Sequence, residues 1–289
     1  MVGSKKNNRF WVLIFLGPSL VGFLIFIALP IISSFAISFT NWDLLNPMEF
    51  IGVKNYMELF KDVTFWLGFK NTVAFIIGYL PCVMVIGLLT AMLLNSNLIG
   101  KTLFRGIYFL PVVTSWVAVS LVWKWLFNPQ YGLVNYFLSL IGLHGPSWLT
   151  DPKTAMIAVI ITSVWKDIGF IMVLYLGGLQ GISPSLYEAS SIDGANGWNQ
   201  FFHITLPMLK PTTFFVSIIS LINSFQVFDQ VNIMTGGGPG NATTVMVQNI
   251  YNSAFNYFEM GKASAMSWVL FLIIFLVSLV QMWGERRDS

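Results

Sequence analysis

Six apolar stretches, each close to 20 residues, leave this chain of 289 residues few ways to fold. They fall at 11–32, 71–94, 104–123, 154–176, 212–233 and 265–283. A helix of about 20 apolar residues crosses the roughly 30 Å hydrocarbon layer of a bilayer. In lipid every backbone amide and carbonyl needs a partner within the chain, so these stretches are expected to be helices. Only 9% of residues are charged, against roughly 25% in water-soluble domains. The expected fold class is all-α integral membrane, with six transmembrane helices. Pro18, Pro30, Pro81 and Pro111 lie inside the stretches and are tolerable there, because neighbouring helices can satisfy the carbonyls they free.

The run that follows Lys5, Lys6 and Arg9 stays uncharged from Phe10 to Trp42. That is too long for the core of a cleaved leader, so it reads as a retained first span. Orientation follows from basic residues, which collect on the cytoplasmic side. With both termini inside, the inner segments hold Lys5, Lys6, Arg9, Lys101, Arg105, Lys210, Arg286 and Arg287, against Glu188, Asp193, Glu285 and Asp288. The outer segments hold six residues of each sign, and all four arginines are inner. Trp11, Trp42, Trp66, Trp123, Trp125 and Trp283 stand near span ends and suit an interfacial belt. Lys124, between two of them, reads as a snorkelling anchor. The domain plan is a cytoplasmic N-terminus at 1–10, one transmembrane domain at 11–284 and a cytoplasmic C-terminus at 285–289. The outer connections at 34–69, 128–153 and 234–263 read as loops with room for short interfacial helices.

Several function classes drop out. A net charge of +3 over so few charges gives no surface for nucleic acid. Cys82, the sole cysteine, can form no disulfide within the chain and sits in an apolar run, where it reads as a small buried hydrophobe. His144 and His203 lack metal-ligand neighbours in sequence and read as surface or interface residues, and no metal site is expected. The run Gly236-Gly237-Gly238-Pro239-Gly240 has no Lys-Ser or Lys-Thr after it, so it is a tight outer turn and not a phosphate-cradling loop. The twelve acids are dispersed rather than gathered at one membrane face. The chain reads as a non-enzyme.

The inner segment between the fourth and fifth stretches, YEASSIDGANGWNQFFHITLP from Tyr187, is polar and glycine-studded where the rest is greasy. Ser183 or Ser185 can cap a helix starting near Leu186, with Pro184 acceptable in a first turn. Asp193 and Gly194 form a turn pair that can end it. A second short helix over 197–204 would run into Pro207 and Pro211, which break the chain before the fifth span. Physics alone leaves two readings, a solvated connector and a rigid helix–turn–helix for docking another protein.

The order Glu188-Ala189-Ser190, Asp193-Gly194-Ala195, Ile204-Thr205-Leu206-Pro207 resembles the EAA loop of the membrane subunits of ABC importers. Further matches are Trp165, Leu179-Gln180-Gly181-Ile182, Phe228-Asp229, Thr235-Gly236-Gly237-Gly238-Pro239, and Tyr251 with Ala254-Phe255. Near the N-terminus, Ser38-Phe39-Thr40-Asn41-Trp42 and Phe50-Ile51-Gly52-Val53-Lys54-Asn55-Tyr56 complete a set that covers nearly the whole chain. As a whole it looks like the sugar-type permeases, the group of the maltose and glycerol-phosphate uptake systems. The resemblance implies that 183–207 is a cytoplasmic coupling element docking an ATPase, with Tyr187, Glu188, Ala189, Asp193, Gly194 and Ala195 at its centre. Ser190, where many relatives repeat alanine, is a mild departure.

Polar side chains at mid-membrane depth default to functional candidates. Ser163, Lys166, Asp167 and Phe170 share one face of the fourth stretch through i, i+3, i+4 and i+7 spacing. Asn223, Gln226 and Gln230 do likewise on the fifth, with Asp229 beside them. Two readings stand. Lys166 and Asp167 neutralise each other or bridge to a neighbouring helix while the amides glue helices together; or these residues line a watery path and bind sugar hydroxyls, with Phe170 or Trp165 stacking on a pyranose. The resemblance places the transmembrane sugar site on these two helices.

It further implies a bacterial inner-membrane permease for a carbohydrate, an oligosaccharide by preference, working by alternating access. No cofactor is expected in this chain, since ATP and Mg would bind the partner ATPase. The implied partners are a second homologous permease, a dimer of ATP-binding subunits, an extracytoplasmic sugar-binding protein and the lipid bilayer. The alternative is an ion-driven carrier or channel subunit, which would keep the midplane polar residues but have no use for the docking segment.

Overall fold

The computed structural model of the chain describes residues 5–96 and 99–288. Residues 1–4 and 289 of the expected cytoplasmic tails lie outside the described residues, as do the side chains of Lys5, Lys6, Arg9, Trp11, Arg286 and Arg287. Helix dominates. The first span is α1 (Lys5–Phe23), a π-helical turn at Leu24–Ala28, and α2 (Leu29–Ile37). Two short antiparallel strands follow, β1 (Thr40–Asn41) and β2 (Glu49–Phe50), with Thr40 opposite Phe50. Then come α3 (Lys54–Leu59), α4 (Val63–Asn95), α5 (Lys101–Val113), α6 (Trp116–Leu126), α7 (Leu133–Leu140) and α8 (Ala155–Gln180). Beyond these lie α9 (Pro184–Ile192), α10 (Gly197–Gln200), a π turn at Phe201–Thr205, α11 (Leu206–Met208) and α12 (Lys210–Phe225). The chain ends with α13 (Asp229–Met234), α14 (Met246–Tyr251), a π turn at Asn252–Asn256 and α15 (Met260–Asp288).

Among the described residues, Ile14–Ile37, Val63–Asn95, Ala155–Gln180 and Met260–Gly284 are each long and apolar enough to cross a membrane. Counting each of two bent pairs as one span gives six. The bends correct the expectation of six plain helices. The third stretch is broken between α5 and α6 by a turn of 100°, where Thr114 and Ser115 are both extended. Those two are the polar interruption of an otherwise apolar run, and each hydroxyl residue can satisfy backbone groups locally; Thr114 Oγ1 donates to Leu110 O at 3.0 Å. The fifth stretch ends at Phe225, eight residues earlier than read from hydropathy, and restarts at Asp229.

Two compact units are present, 1–62 with 250–271, and 63–249 with 272–289. In the first, Asn55 Nδ2 donates to Ser38 O and Thr40 O, both at 2.9 Å, and Ser38 Oγ and Tyr56 Oη are 2.7 Å apart. Lys262 pairs with Asp62 at 2.8 Å. The two N-terminal motifs of the sequence are thus halves of one local structure.

In the second unit α4 and α8 pack along their length. Phe75, Tyr79, Val83, Ala91 and Leu94 of α4 meet Val159, Val164, Ile171, Met172 and Tyr175 of α8 in one buried cluster, with Leu209 and Val216. No hydrophobic driving force separates helix from lipid, so close packing and interhelical hydrogen bonds must hold such an interface. Gly169 shows how close: a Cβ there would collide with the Tyr108 carbonyl of α5. The expected glycine turn is formed, with positive φ at Gly236, Gly237 and Gly240, and Asn71 Nδ2 of α4 holds it by donating to Asn241 O and Thr244 O at 2.9 Å.

Candidate functional site

Two features stand out around α8: an exposed helical segment at its C-terminal end and a polar cavity along its side. The segment begins with Ser183 extended and Pro184 in the first turn of α9, two residues earlier than read from sequence. Ser183 does not cap this helix; its hydroxyl lies 2.7 Å from Ser185 Oγ. At the other end Ala195 N–H donates to Ser190 O at 2.9 Å and Gly194 N–H to Ser191 O at 3.1 Å. This pair of bonds is the Schellman stop, and it requires the left-handed φ of +82° that Gly194 adopts without penalty. Asn196 then caps α10, its Oδ1 accepting from Asn199 N–H at 2.9 Å.

The second helix of the segment is longer than expected. It runs from Gly197 to Met208 and bends by 64° into α12. Leu206 N–H closes the π turn on Phe201 O, and Pro207, which has no N–H to continue the ladder, follows directly after that turn without ending the helix. The break therefore lies at Leu209, not at Pro207. The two arms are stapled: Gln200 Nε2 donates to Ser190 Oγ at 3.1 Å, Ser191 Oγ at 2.9 Å and Tyr187 O at 3.3 Å. Tyr187 Oη and Thr205 Oγ1 are 2.9 Å apart.

Of the residues singled out here, Glu188, Ala189, Asp193 and Gly194 are exposed, while Tyr187 and Ala195 are half-buried. Tyr187 packs against the core, so it anchors the segment. Beside the exposed four stand apolar groups that sequence reasoning missed: Ile192 is 87% exposed, Trp198 72% and Phe202 52%. Trp198 and Phe202 stack, with ring centroids 5.9 Å apart. Such exposure on a polar connector is unlike a solvated loop. The i, i+4 spacing of Trp198 and Phe202 was the available signal.

The cavity, about 480 Å³, lies among α4, α6, α8, α12, α13 and α14. It gathers five of the seven path residues read from sequence: Ser163, Asp167, Asn223, Gln226 and Gln230. Asp229 joins them, with Phe75, Tyr79, Trp116 and Phe228 as aromatic wall. Tyr79 Oη donates to Asp167 Oδ2 at 2.7 Å, and Tyr79 stacks on Phe75 at 5.3 Å and 11°. Gln230 Nε2 donates to Ser163 Oγ at 3.2 Å, tying α13 to α8. Asn223, Gln226 and Gln230 do not share one continuous helical face. Residues 226–228 are the break between α12 and α13, and the break is what turns their side chains to one cavity. Among the described residues, no protein group hydrogen-bonds the side chains of Asn223, Gln226 or Asp229.

Lys166 and Phe170 are absent from this lining. Lys166 is buried, donates from Nζ to Val112 O at 3.1 Å and sits 4.7 Å from the Trp116 ring centroid. Phe170 packs against the core cluster. The i, i+3, i+4, i+7 face is thus divided, because α8 is covered by α4 on one side and α5 on another. Trp165 meets Trp123 edge-on at 5.5 Å and does not line the cavity. Cys82, read as buried, is exposed on α4. Of the missed lining residues, Trp116 was signalled by the polar Thr114-Ser115 pair before it; Tyr79 and Phe75 had no signal apart from other aromatics of the same run.

Residues 83–287 match the family described as binding-protein-dependent transport system inner membrane component. A probable ABC transporter permease protein, YurN, of Bacillus subtilis (strain 168) is 40% identical, with 96% of each chain covered. A probable starch degradation products transport system permease protein, AmyD, of Thermoanaerobacterium thermosulfurigenes is 33% identical, covering 97% of this chain and 96% of that one. Among solved structures, a bacterial alginate ABC transporter in complex with an alginate pentasaccharide-bound periplasmic protein matches with a TM-score of 0.85 and 27% identity, over 98% of this chain and 97% of that one.

Proposed function

The chain belongs to the family of binding-protein-dependent transport system inner membrane components, and on that premise we propose that it is the membrane-spanning permease subunit of an ATP-driven importer of an oligosaccharide. The observation that carries the substrate class is the cavity. Carboxamides, serine hydroxyls and carboxylates stand beside the aromatic groups Phe75, Tyr79, Trp116 and Phe228. Sugars offer the complement, a rim of hydroxyls and an apolar ring face, and pockets of this kind use a few placed polar groups within an apolar wall. Two carboxylates, Asp167 and Asp229, line it, and no cation does among the described residues. Lys166, behind the wall, offsets Asp167, which leaves Asp229 as the uncompensated charge of the lining among the described residues. That charge favours an uncharged sugar over an acidic one such as the alginate of the structural neighbour.

The segment 183–208 is the coupling element. Its exposed Glu188 and Asp193, and the apolar Ile192, Trp198 and Phe202, form the surface that seats in a cytoplasmic ATPase. A second permease and an external sugar-binding protein complete the assembly, in the cytoplasmic membrane with both termini inside. ATP binding, by drawing the two docking segments together, shifts the cavity between inward and outward openings. Each ligand stabilises one of two conformations, which is all that alternating access needs. This chain supplies the cavity and the coupling surface, and the ATPase supplies hydrolysis.

The test is co-purification. Glu188→Ala and Gly194→Trp are expected to release an ATP-binding protein that accompanies the wild-type chain, and to lower ATP-dependent uptake with it. Full retention of that protein together with undiminished uptake in both variants would remove the docking assignment.

A further inference from the structure

Lys166 is a buried ammonium in mid-span, a costly placement that needs a reason. Asp167, its neighbour on α8, supplies an opposing charge, but the hydrogen bond and the ring contact of Lys166 are both at the break in the third span. In an unbroken helix the Val112 carbonyl would accept from the Trp116 N–H four residues on. The extended residues Thr114 and Ser115 abolish that bond, and Lys166 Nζ donates to the orphaned oxygen at 3.1 Å instead. The same ammonium lies 4.7 Å from the Trp116 ring centroid, within cation–π range, and Trp116 is the first residue beyond the break. That ring lines the cavity, and Lys166 does not.

We infer that Lys166 is a positioning residue for the substrate cavity, fixing the 100° bend of the third span and through it the orientation of the Trp116 ring, without touching substrate itself. This rests on the reading of the cavity as the sugar site. One cation held between a carbonyl on α5 and a ring on α6 clamps both arms of the bend to α8. A neutral side chain of similar length can do neither, because it has no proton to donate to Val112 O and no charge for the ring. Arginine retains both abilities.

Two measurements separate the inference from its premise. The first needs no sugar. In the 5-fluorotryptophan-labelled chain in nanodiscs, the Trp116 ¹⁹F line is assigned by its loss in Trp116→Phe. A single narrow line is expected in the wild type and in Lys166→Arg, and a split or exchange-broadened one in Lys166→Met. Loss of the nearby charge alone would displace the line but leave it narrow, and a displaced narrow line in Lys166→Met overturns the inference. The second is uptake, by the assembled transporter, of whichever of labelled maltose, maltotriose, trehalose and lactose it carries. Lys166→Met is expected to raise KM about tenfold, the scale of one lost charge-assisted hydrogen bond, with kcat little changed and Lys166→Arg close to wild type. In a Trp116→Ala background the same change should add nothing, since residues that act as a unit are non-additive. An equal added rise there would mean that Lys166 acts independently of the ring and would refute the positioning role. An unchanged KM in Trp116→Ala itself would instead remove the cavity reading while the ¹⁹F result on Lys166 stood.

Discussion

The segment 183–208 follows the C-terminal end of α8 and the cavity lies along its side, yet they are held together over very different distances along the chain. Within 183–208 the hydrogen bonds described above join residues at most 18 positions apart, the widest being Tyr187 to Thr205. The cavity is closed by Tyr79 with Asp167, 88 positions apart, and by Gln230 with Ser163, 67 apart. The first is a self-contained element whose shape is written into its own turn residues. The second exists only when α4, α5, α6, α12 and α13 have all packed on α8. A defect in helix packing should therefore destroy the cavity and spare the segment, and a defect in a cap should do the reverse.

The largest effect expected from that contrast is at Gly169. A leucine there would drive a side chain into the Tyr108 carbonyl, against backbone that cannot swing aside as a flexible side chain could. Overpacking of this kind costs about 3 kcal/mol, enough to lower the thermal midpoint of the purified chain by roughly 5–10 °C. Uptake should fall with it, while the folded fraction still binds the ATPase as wild type does. An unchanged midpoint in Gly169→Leu would show that α5 and α8 can part freely, and the cavity would then not depend on their close approach.

The same contrast explains what could be read from the sequence. Gly194 carried its signal locally: a glycine after a polar helix, preceded by Asp193, is a helix stop whatever surrounds it. The N-terminal motifs were marked only by the family resemblance, and their contact is equally local, since Ser38 and Thr40 meet Asn55 within 17 residues. Lys166 was legible only as an anomaly. Its depth in the membrane marked it, but its direction depended on a break in another span, and helical spacing placed it on a face that α4 and α5 divide between them. Hydropathy could not reveal that break or the one at 226–228, because a window of some 20 residues averages over two or three non-helical ones. Asn223, Gln226 and Gln230 were found for their polarity, and what brings them together is irregular backbone rather than the shared helix face. Non-helical backbone at membrane depth is tolerated where it lines a cavity, which is where these residues lie.

The segment 183–208 can be probed more finely through its two helix starts, which look alike in sequence and differ in structure. Asn196 Oδ1 accepts the Asn199 N–H at 2.9 Å, whereas Ser183 offers α9 no such bond. Asn196→Ala should cost about 1 kcal/mol of local stability, seen as roughly fivefold faster hydrogen exchange at the Asn199 amide, with the global midpoint unmoved because the loss is confined to the segment. A falling midpoint would mean that the segment unfolds together with the spans, and its autonomy would be gone. Ser183→Ala is the smallest expected effect. A serine before a proline that opens a helix would ordinarily be credited with a cap worth about 1 kcal/mol. Here the hydroxyl faces Ser185 Oγ in the open, and the Pro184 ring already sets the backbone angle that starts the helix. The substitution should therefore lie within about 0.5 kcal/mol of wild type, with exchange in the first turn of α9 and retention of the ATPase both unchanged. A cost as large as that at Asn196 would show that α9 is capped through Ser183 in the working protein, and the two starts would then be equivalent.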